Sequence, residues 1–568
     1  MERQSRSNSL GNIHISYIGK NMEPATTDNV KIKRKKPSLI KQCLIDYTAN
    51  TNLHGLKYVG EKERTIMEKI FWLLMFTCCI VFCAGLIWKL WIKWNDNPVI
   101  VSFAETSTPV WKIPYPAVTL CPEMKVMQTV FNYTEHYHLQ EINPNATEEQ
   151  DDLFKDISLI CNKNISPWIH GRNFSLGNKT VENIKKVSPK IYDIMEGLMW
   201  KDELRSFLNL FSPILTEEGY CYTFNTIGAD ELFRIENLNT DYNYYDSLNK
   251  SQTWTLENGY SPNTPLETYP YRGTVCIDFK HKLKEGNGEN AGLVIVLRAS
   301  KKDFDYLCSG PTQGFKIILH NPAEFPKLSQ QYFRIPLERD VVVAAKPKMM
   351  TTSDGLKPYS PVRRQCYFSN ERYLKFFKVY TQANCESECL TNFTYTKCGC
   401  VHFGMPHGPE MKVCSLGKRQ CMNDARMELV TVEIQNNLEE ATNADYTLGE
   451  AYRVAINCKC LPACTSIEYE AETSQADFDV DAFFKAMNIN TINEADILYT
   501  QIKIFFKEAQ FIKVRRSELY GHTDFLANCG GLLGLFLGFS LLSVVEFIYF
   551  FTLRVCCILW RSGKNKNT

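Results

Sequence analysis

One apolar run, 526–553, carries small and polar residues where an inert membrane anchor would carry leucine and valine. Gly530, Gly534 and Gly538 recur every four residues and so share one helix face. Asn528, Ser540, Ser543 and Glu546 lie in the same run. A stripe of small residues lets two helices approach closely. A carboxylate in hydrocarbon, however, costs about 3 kcal/mol unless it meets water or a partner. Polar groups along a span therefore also suit a helix that lines an aqueous path. There, backbone carbonyls near Gly538 and the Ser540 hydroxyl could reach a cation without bulky side chains intervening. A single such helix cannot enclose a pore, so this second reading requires several copies.

Chemistry of other kinds finds no support. There is no Gly-rich phosphate loop and no HExxH motif, and the Ser and His residues form no catalytic pattern. An enzyme is not expected, nor are catalytic residues, a metal or a cofactor. With 64 Lys+Arg against 63 Asp+Glu, the chain is not a basic nucleic-acid binder. Hydrophobic residues at 44% and charged residues at 22% exclude both a mostly disordered chain and a bundle of lipid-facing helices.

The elements that position the polar run are two spans and a large domain between them. Residues 70–88, IFWLLMFTCCIVFCAGLIW, form an uncharged run long enough to cross a bilayer. Trp88, Trp91 and Trp94, interleaved with Lys89 and Lys93, mark an interface. Residues 1–69 hold 13 Lys or Arg against 7 Asp or Glu, including KIKRKK at 31–36, and Arg561, Lys564 and Lys566 follow the second span. Both ends therefore read as cytoplasmic. The expected organisation is a cytoplasmic region 1–69, a first span 70–93, an extracellular domain 94–524, a second span 525–556 and a short cytoplasmic tail 557–568. Sequons at Asn132, Asn145, Asn164, Asn173, Asn178, Asn249 and Asn392 all fall in the extracellular part and are candidate glycosylation sites.

Of the 22 cysteines, fifteen lie between the spans, and those from Cys366 to Cys464 are dense. An oxidising compartment pairs such cysteines, and zinc is disfavoured because the usual ligand spacings and paired histidines are absent. Cys385 and Cys389, four apart in ERYLKFFKVYTQANCESEC, share a helix face about 6 Å apart. Cys458 and Cys460, two apart in INCKC, share a strand face at nearly the same spacing. An antiparallel arrangement pairs Cys385–Cys460 and Cys389–Cys458. Nesting then gives Cys398–Cys421 and Cys400–Cys414 inside and Cys366–Cys464 outside, a stiff rod of helices. The odd count leaves one thiol over, expected to be Cys161. GLVIVLRAS, GFKIILHNP, YFRIPL and VVVAAKPKMMT read as strands. KIYDIMEGLM, DELRSFLNLF and ADFDVDAFFKAMN read as helices, and TQIKIFFKEAQFIKV as one last strand.

Together these motifs resemble the epithelial sodium channel/degenerin family over nearly the whole chain, and insect pickpocket or ripped-pocket subunits most closely. The resemblance is carried by His54–Gly55 in TNLHGLKYV, YPAVTLCP at 115–122, GYCYTFN at 219–225, NCESECLTNFTYTKCGCVHFGMP at 384–406, NCKCLPAC at 457–464 and GGLLGLFLGFSLLSVVE at 530–546. It implies an α+β membrane protein in which two transmembrane helices flank a disulfide-rich ectodomain of palm, finger, thumb, knuckle and β-ball. It implies a homo- or heterotrimer with related subunits in the plasma membrane. The implied activity is an amiloride-sensitive, voltage-independent, sodium-selective channel gated through its ectodomain, with Na+ as the permeant ion. By motif matching, Gly538, Phe539 and Ser540 fall on the selectivity filter, Ala527 with Asn528 on the degenerin gate position, His54 and Gly55 on a cytoplasmic gating motif, and Glu546 on the pore. The bulky Phe539 at the filter's middle is a departure from the family's pattern. Cys121–Cys221 matches the family's palm bridge, and Cys276–Cys308 would be one more. The resemblance fixes neither the stimulus nor an extracellular ligand.

Overall fold

The computed structural model describes residues 39–564, apart from 62, 97, 143–147, 162–178, 241–253, 266–268, 274–275, 278–282, 285–287, 330, 439–449 and 489–495. The basic run 31–36 and the sequons at Asn145, Asn164, Asn173, Asn178 and Asn249 lie outside the described residues. Two compact units emerge, Met1–Ile92 with Thr523–Thr568, and Lys93–His522.

The first unit is helical. Leu39–Asn50 forms a helix, a short helix covers Leu56–Gly60, and Ile66–Asp96 is the long first-span helix. The second span was expected as one run over 525–556, but it is broken. Helix His522–Leu537 ends at Gly538, helix Leu541–Ile548 follows, a π-turn occupies Tyr549–Leu553, and helix Arg554–Lys564 completes the series. The break has a local cause. Gly538 has φ 64°, the left-handed conformation that only glycine adopts cheaply. Its N–H donates to the Gly534 carbonyl at 3.0 Å, a left-handed C-cap. Ser540 then caps the next helix, its Oγ accepting from the Ser543 N–H at 3.4 Å while Ser543 Oγ accepts from the Ser540 N–H at 3.2 Å. Ile66–Asp96 and Leu541–Ile558 are each long and apolar enough to cross a membrane.

Among the described residues the second unit holds two large sheets and two small two-stranded ones. In the larger, strand Arg339–Thr352 pairs in parallel with Ile497–Phe506 and Gln510–Glu518 along one edge and antiparallel with Ser466–Asp477 along the other. Val99–Pro109 and Leu293–Ser300 extend it on either side. The single last strand expected at 500–514 is two strands, broken at 507–509, where the Lys507 N–H turns to the Ala345 carbonyl. The five-stranded sheet runs Phe333–Ile335, Phe315–His320, Ala117–Pro122, Gly219–Phe224 and Phe211–Thr216. Tyr115 joins the sheets: its ring meets Trp200, Phe224 and Phe506 edge-on, and its hydroxyl donates to the Ile504 carbonyl at 2.6 Å. Two expected helices shrink. KIYDIMEGLM is helical only over Ile191–Ile194 and continues as strand Met195–Trp200, because the register against Leu293–Ser300 claims its backbone. DELRSFLNLF is helical only over Phe207–Leu210.

The rod comprises helices Gln382–Cys398, Arg419–Leu438 and Glu450–Cys458. The sulfurs pair as Cys366–Cys464, Cys385–Cys460, Cys389–Cys458, Cys398–Cys421 and Cys400–Cys414, and Cys121–Cys221 ties two strands of the smaller sheet. INCKC, however, is not extended: Cys458 closes a helix, and Lys459, at φ 30°, turns the chain to bring Cys460 alongside. Cys161 is not the spare thiol. It bonds Cys308, with Cα atoms 4.3 Å apart, so the expected Cys276–Cys308 bridge is not formed. The side chain of Cys276 lies outside the described set. The reason is packing. Tyr133 stacks on Phe154 at 4.8 Å, and Asp305 caps the Cys308 turn while also accepting from Thr134. These contacts carry the Cys161 turn onto Cys308.

Candidate functional site

The break at 538–540 is the centre of the first unit's polar chemistry. A helix end releases carbonyls from the i→i−4 ladder. One of them, on Leu537, accepts from the His54 backbone N–H at 3.0 Å. Gly538 also leaves room for the His54 ring: a Cβ there would lie 2.9 Å from it. Gly55, at φ 84°, makes the turn that places His54 and sits against Trp72 and Phe76 of the first-span helix. The structure therefore brings together His54, Gly55, Leu537 and Gly538, residues separated by nearly the full chain. Phe539 is half-buried and Ser540 exposed.

Below the break, Asn52 Nδ2 donates to Glu546 Oε1 at 2.9 Å. Glu546 Oε2 is buried and has no hydrogen-bond partner among the described residues. The carboxylate expected to face a pore or a partner is thus held on one side only. Further along, Asp46 pairs with Arg554 at 2.9 Å. The Tyr47 ring, 7% exposed, is enclosed by Phe547, Phe550 and Phe551 at the π-turn. Toward the other end, Phe82 meets Phe536 and Trp91 meets Phe525, so the spans run side by side. Ala527 and Asn528 lie in helix His522–Leu537 and are exposed in this chain, away from the cluster at the break.

A second cluster stands in the other unit, where the chain enters and leaves it, and sequence reading did not single it out. Arg363 lies 4.5 Å from the Trp94 ring centre and 4.7 Å from that of Tyr359, and it donates to the Trp94 carbonyl at 3.2 Å. Trp94 Nε1 donates to the Tyr520 carbonyl at 3.1 Å, and Lys93 Nζ to the Tyr520 hydroxyl at 3.2 Å. The His522 ring lies 5.4 Å from Trp94 and 6.4 Å from Tyr359. Strand Val99–Pro109 pairs antiparallel with Gln510–Glu518, so entry and exit are one ribbon. Arg363 reaches that ribbon from a segment ending at the Cys366–Cys464 bridge. The next residue, Arg364, is buried and pairs with Glu371, its guanidinium donating to the Cys366 and Tyr359 carbonyls. The available signal was a Trp just past the first span together with PYSPVRRQC, aromatic and cationic residues beside a bridging cysteine.

Of the remaining candidates, Asn132 caps helix Tyr133–Ile142, its Oδ1 accepting from Glu135 N–H at 3.0 Å, and Asn392 is half-buried within helix Gln382–Cys398. A charged cluster supports the smaller sheet. Lys316 and Lys125 meet Glu218 at 2.9 and 2.8 Å, and Arg334 meets Glu123 at 3.0 Å. Burial alone would raise the Glu218 carboxyl, but the two lysines outweigh it and hold it at about 2. Burial also pulls the Lys125 ammonium below its usual range, which offsets part of the gain.

The profile of the family described as "Amiloride-sensitive sodium channel" matches residues 47–550. The chain is 28% identical to Pickpocket protein 28 of Drosophila melanogaster over 91% of its own length and 79% of that protein's. It is 22% identical to Sodium channel protein Nach of the same fly, covering 89% and 86% of the two chains. Similarity extends to the Bile acid-sensitive ion channel of Mus musculus, at 21% identity over 94% and 90%.

Proposed function

The chain belongs to the amiloride-sensitive sodium channel family, and from that premise we propose that it is a pore-forming subunit of a sodium-selective, voltage-independent, amiloride-blocked channel. Three such subunits, identical or related, enclose one path across the plasma membrane, with both termini cytoplasmic. The observation that carries this reading is the three-residue break Gly538-Phe539-Ser540 within an apolar helix series. A span that only anchored a receptor would gain nothing by interrupting its own hydrogen bonds in lipid. Irregular backbone at membrane depth is tolerated where it lines a cavity or meets protein. In a trimer, three copies of the break would present carbonyls and Ser540 hydroxyls around one axis.

The clusters described support a route for gating. The disulfide-linked rod ends in the segment that carries Arg363, and Arg363 holds the ribbon through which the chain enters and leaves the ectodomain. Displacement of a rigid element is transmitted rather than absorbed. Movement of the rod would therefore tilt the second span at Ala527 and Asn528, and the His54 contact at the break sets where that tilt stops.

The test is Ala527→Val expressed alone in oocytes, with surface delivery confirmed. A constitutive, amiloride-blocked inward current that vanishes when external sodium is replaced by an impermeant cation supports a self-sufficient sodium channel. Silence with protein at the surface overturns it, leaving either an accessory subunit that conducts only beside a partner chain or a non-conducting two-span receptor glycoprotein.

A further inference from the structure

Two of the sequons lie among the described residues, and the fold uses them differently. At Asn132-Tyr133-Thr134 both polar members are employed. Asn132 Oδ1 accepts from the Glu135 N–H at 3.0 Å and its Nδ2 donates to Glu135 Oε2 at 3.2 Å, while the Thr134 hydroxyl donates to Asp305 at 2.7 Å. At Asn392-Phe393-Thr394 neither is. The Asn392 side chain is half-buried and makes no hydrogen bond among the described residues, although its backbone carbonyl accepts from the Thr396 hydroxyl at 2.9 Å. Thr394 is fully buried, and its Oγ1 has no hydrogen-bond partner among the described residues. A buried hydroxyl left unpaired costs about 1–3 kcal/mol, and valine would fill the same space without that cost. The hydroxyl therefore serves something other than packing.

Asn392 also stands in a groove. Helices Gln382–Cys398 and Glu450–Cys458, together with residues 372–374, border a space of about 400 Å³, within the size range of small-ligand sites. Tyr373 and Tyr395 line it beside Asn392. Tyr373 is 67% exposed, and Arg234 stacks on its ring at 4.4 Å, which holds the ring in place. Arg372 lines the groove as well. One of its nitrogens donates to the Asn457 and Cys458 carbonyls at 2.9 and 3.1 Å, and the guanidinium has further donors. Aromatic faces beside such donors suit a sugar ring: the faces take its C–H surface and the donors its hydroxyl and acetamido oxygens.

We propose that Asn392 carries an N-linked glycan whose first N-acetylglucosamine lies in this groove, packed on Tyr373 and Tyr395, and closes it over the bridging Cys385, Cys389 and Cys458 that also line it. The donor is a lipid-diphosphate-linked oligosaccharide, and transfer precedes folding, while 392–394 is still extended. Asn392 Nδ2 attacks the anomeric carbon, the new carbon–nitrogen bond forms, and the bond to the diphosphate oxygen breaks. The proton lost from the nitrogen goes to the released diphosphate, so no oxidant or reductant is needed. A hydroxyl two residues on is what marks an acceptor asparagine, which gives the unpaired Thr394 hydroxyl its use. The proposal rests on the extracellular placement of this domain given above.

The experiment uses the full chain from mammalian cells. Mass spectrometry of the reduced tryptic peptide 379–397 reads the occupancy of Asn392. The expected result is a peptide bearing N-acetylhexosamine in the wild type and in Thr394→Ser, and its loss in Thr394→Val, which keeps the buried shape. An unmodified wild-type peptide overturns the proposal. Peptide N-glycosidase, which cuts at the first sugar, then reads the seating. Native wild-type protein should lose the Asn392 glycan several-fold more slowly than native Tyr373→Ala, and unfolding should abolish the difference. Equal release from the two native proteins overturns the seating in the groove. If Tyr373→Ala does not accumulate, Arg372→Ala makes the same comparison. Topology is read separately. If the glycosidase shifts no band even after unfolding, the extracellular placement itself falls. A shift from other sequons with peptide 379–397 unmodified overturns Asn392 alone.

Discussion

The rod between Cys366 and Cys464 and the second-span series from His522 to Lys564 are both chains of short, interrupted helices, yet they are held by opposite means. In the rod, five disulfides cross the interruptions. In the span series, beyond the local caps at Gly538 and Ser540, the interruptions at 538–540 and 549–553 are held among the described residues by a backbone hydrogen bond from His54, one from the Asn52 side chain, an ion pair and an aromatic enclosure. Covalent cross-links fix a geometry, whereas a few hydrogen bonds worth about 1 kcal/mol each leave two arrangements close in energy. The difference is that one interrupted helix series is locked covalently and the other is left adjustable, as the proposed gating would require.

The largest expected effect comes from breaking the stiff side. Cys385→Ser with Cys460→Ser should cost about 2–5 kcal/mol, read as a lowered thermal midpoint of the purified full-length protein and loss of surface expression. An unchanged midpoint would mean the bridge does not stiffen the rod. Next comes Gly538→Ala. A side chain at a left-handed position costs about 1–2 kcal/mol, and the His54 ring stands in its way. Current on the Ala527→Val background should fall roughly tenfold at unchanged surface density. Arg363→Ala removes two cation–π contacts of about 0.5–1 kcal/mol each. Amides at 93–96 and 518–522 should then exchange several-fold faster, while those of the rod helices do not change. Arg363→Lys should give an intermediate rate.

The smallest effect concerns pH. Because the folded Glu218 carboxyl is held down at about 2, its stabilisation is complete above the ordinary carboxylate range and is lost as pH falls toward 2. Between about pH 5 and pH 3 the wild-type protein should lose about 1 kcal/mol more than Glu218→Gln. Parallel losses would show that the lysine pairs contribute nothing.

Much of this contrast was legible in the sequence, for reasons that differ by region. The rod's pairing followed from helix spacing at Cys385 and Cys389 together with nesting, even though the segment around Cys458 proved helical rather than extended. Local geometry there over-determines the partners. Cys161 was misassigned because its partner is set by side-chain packing around Tyr133, Phe154 and Asp305, which no spacing encodes. Gly538 and Ser540 were visible as residues, but the break they make was not, since apolar periodicity alone reads 526–553 as one helix. The joint at Arg363 joins segments more than 250 residues apart, beyond the reach of any local pattern.

The central claim is that the break at 538–540 is where the path selects its ion. The direct measurement is the bi-ionic sodium/potassium reversal potential of Ala527→Val with and without Ser540→Cys. A reversal potential that moves toward equal permeability in the double variant, with amiloride-sensitive current still present, is the result predicted. An unchanged sodium preference would contradict it and place selection elsewhere along the span.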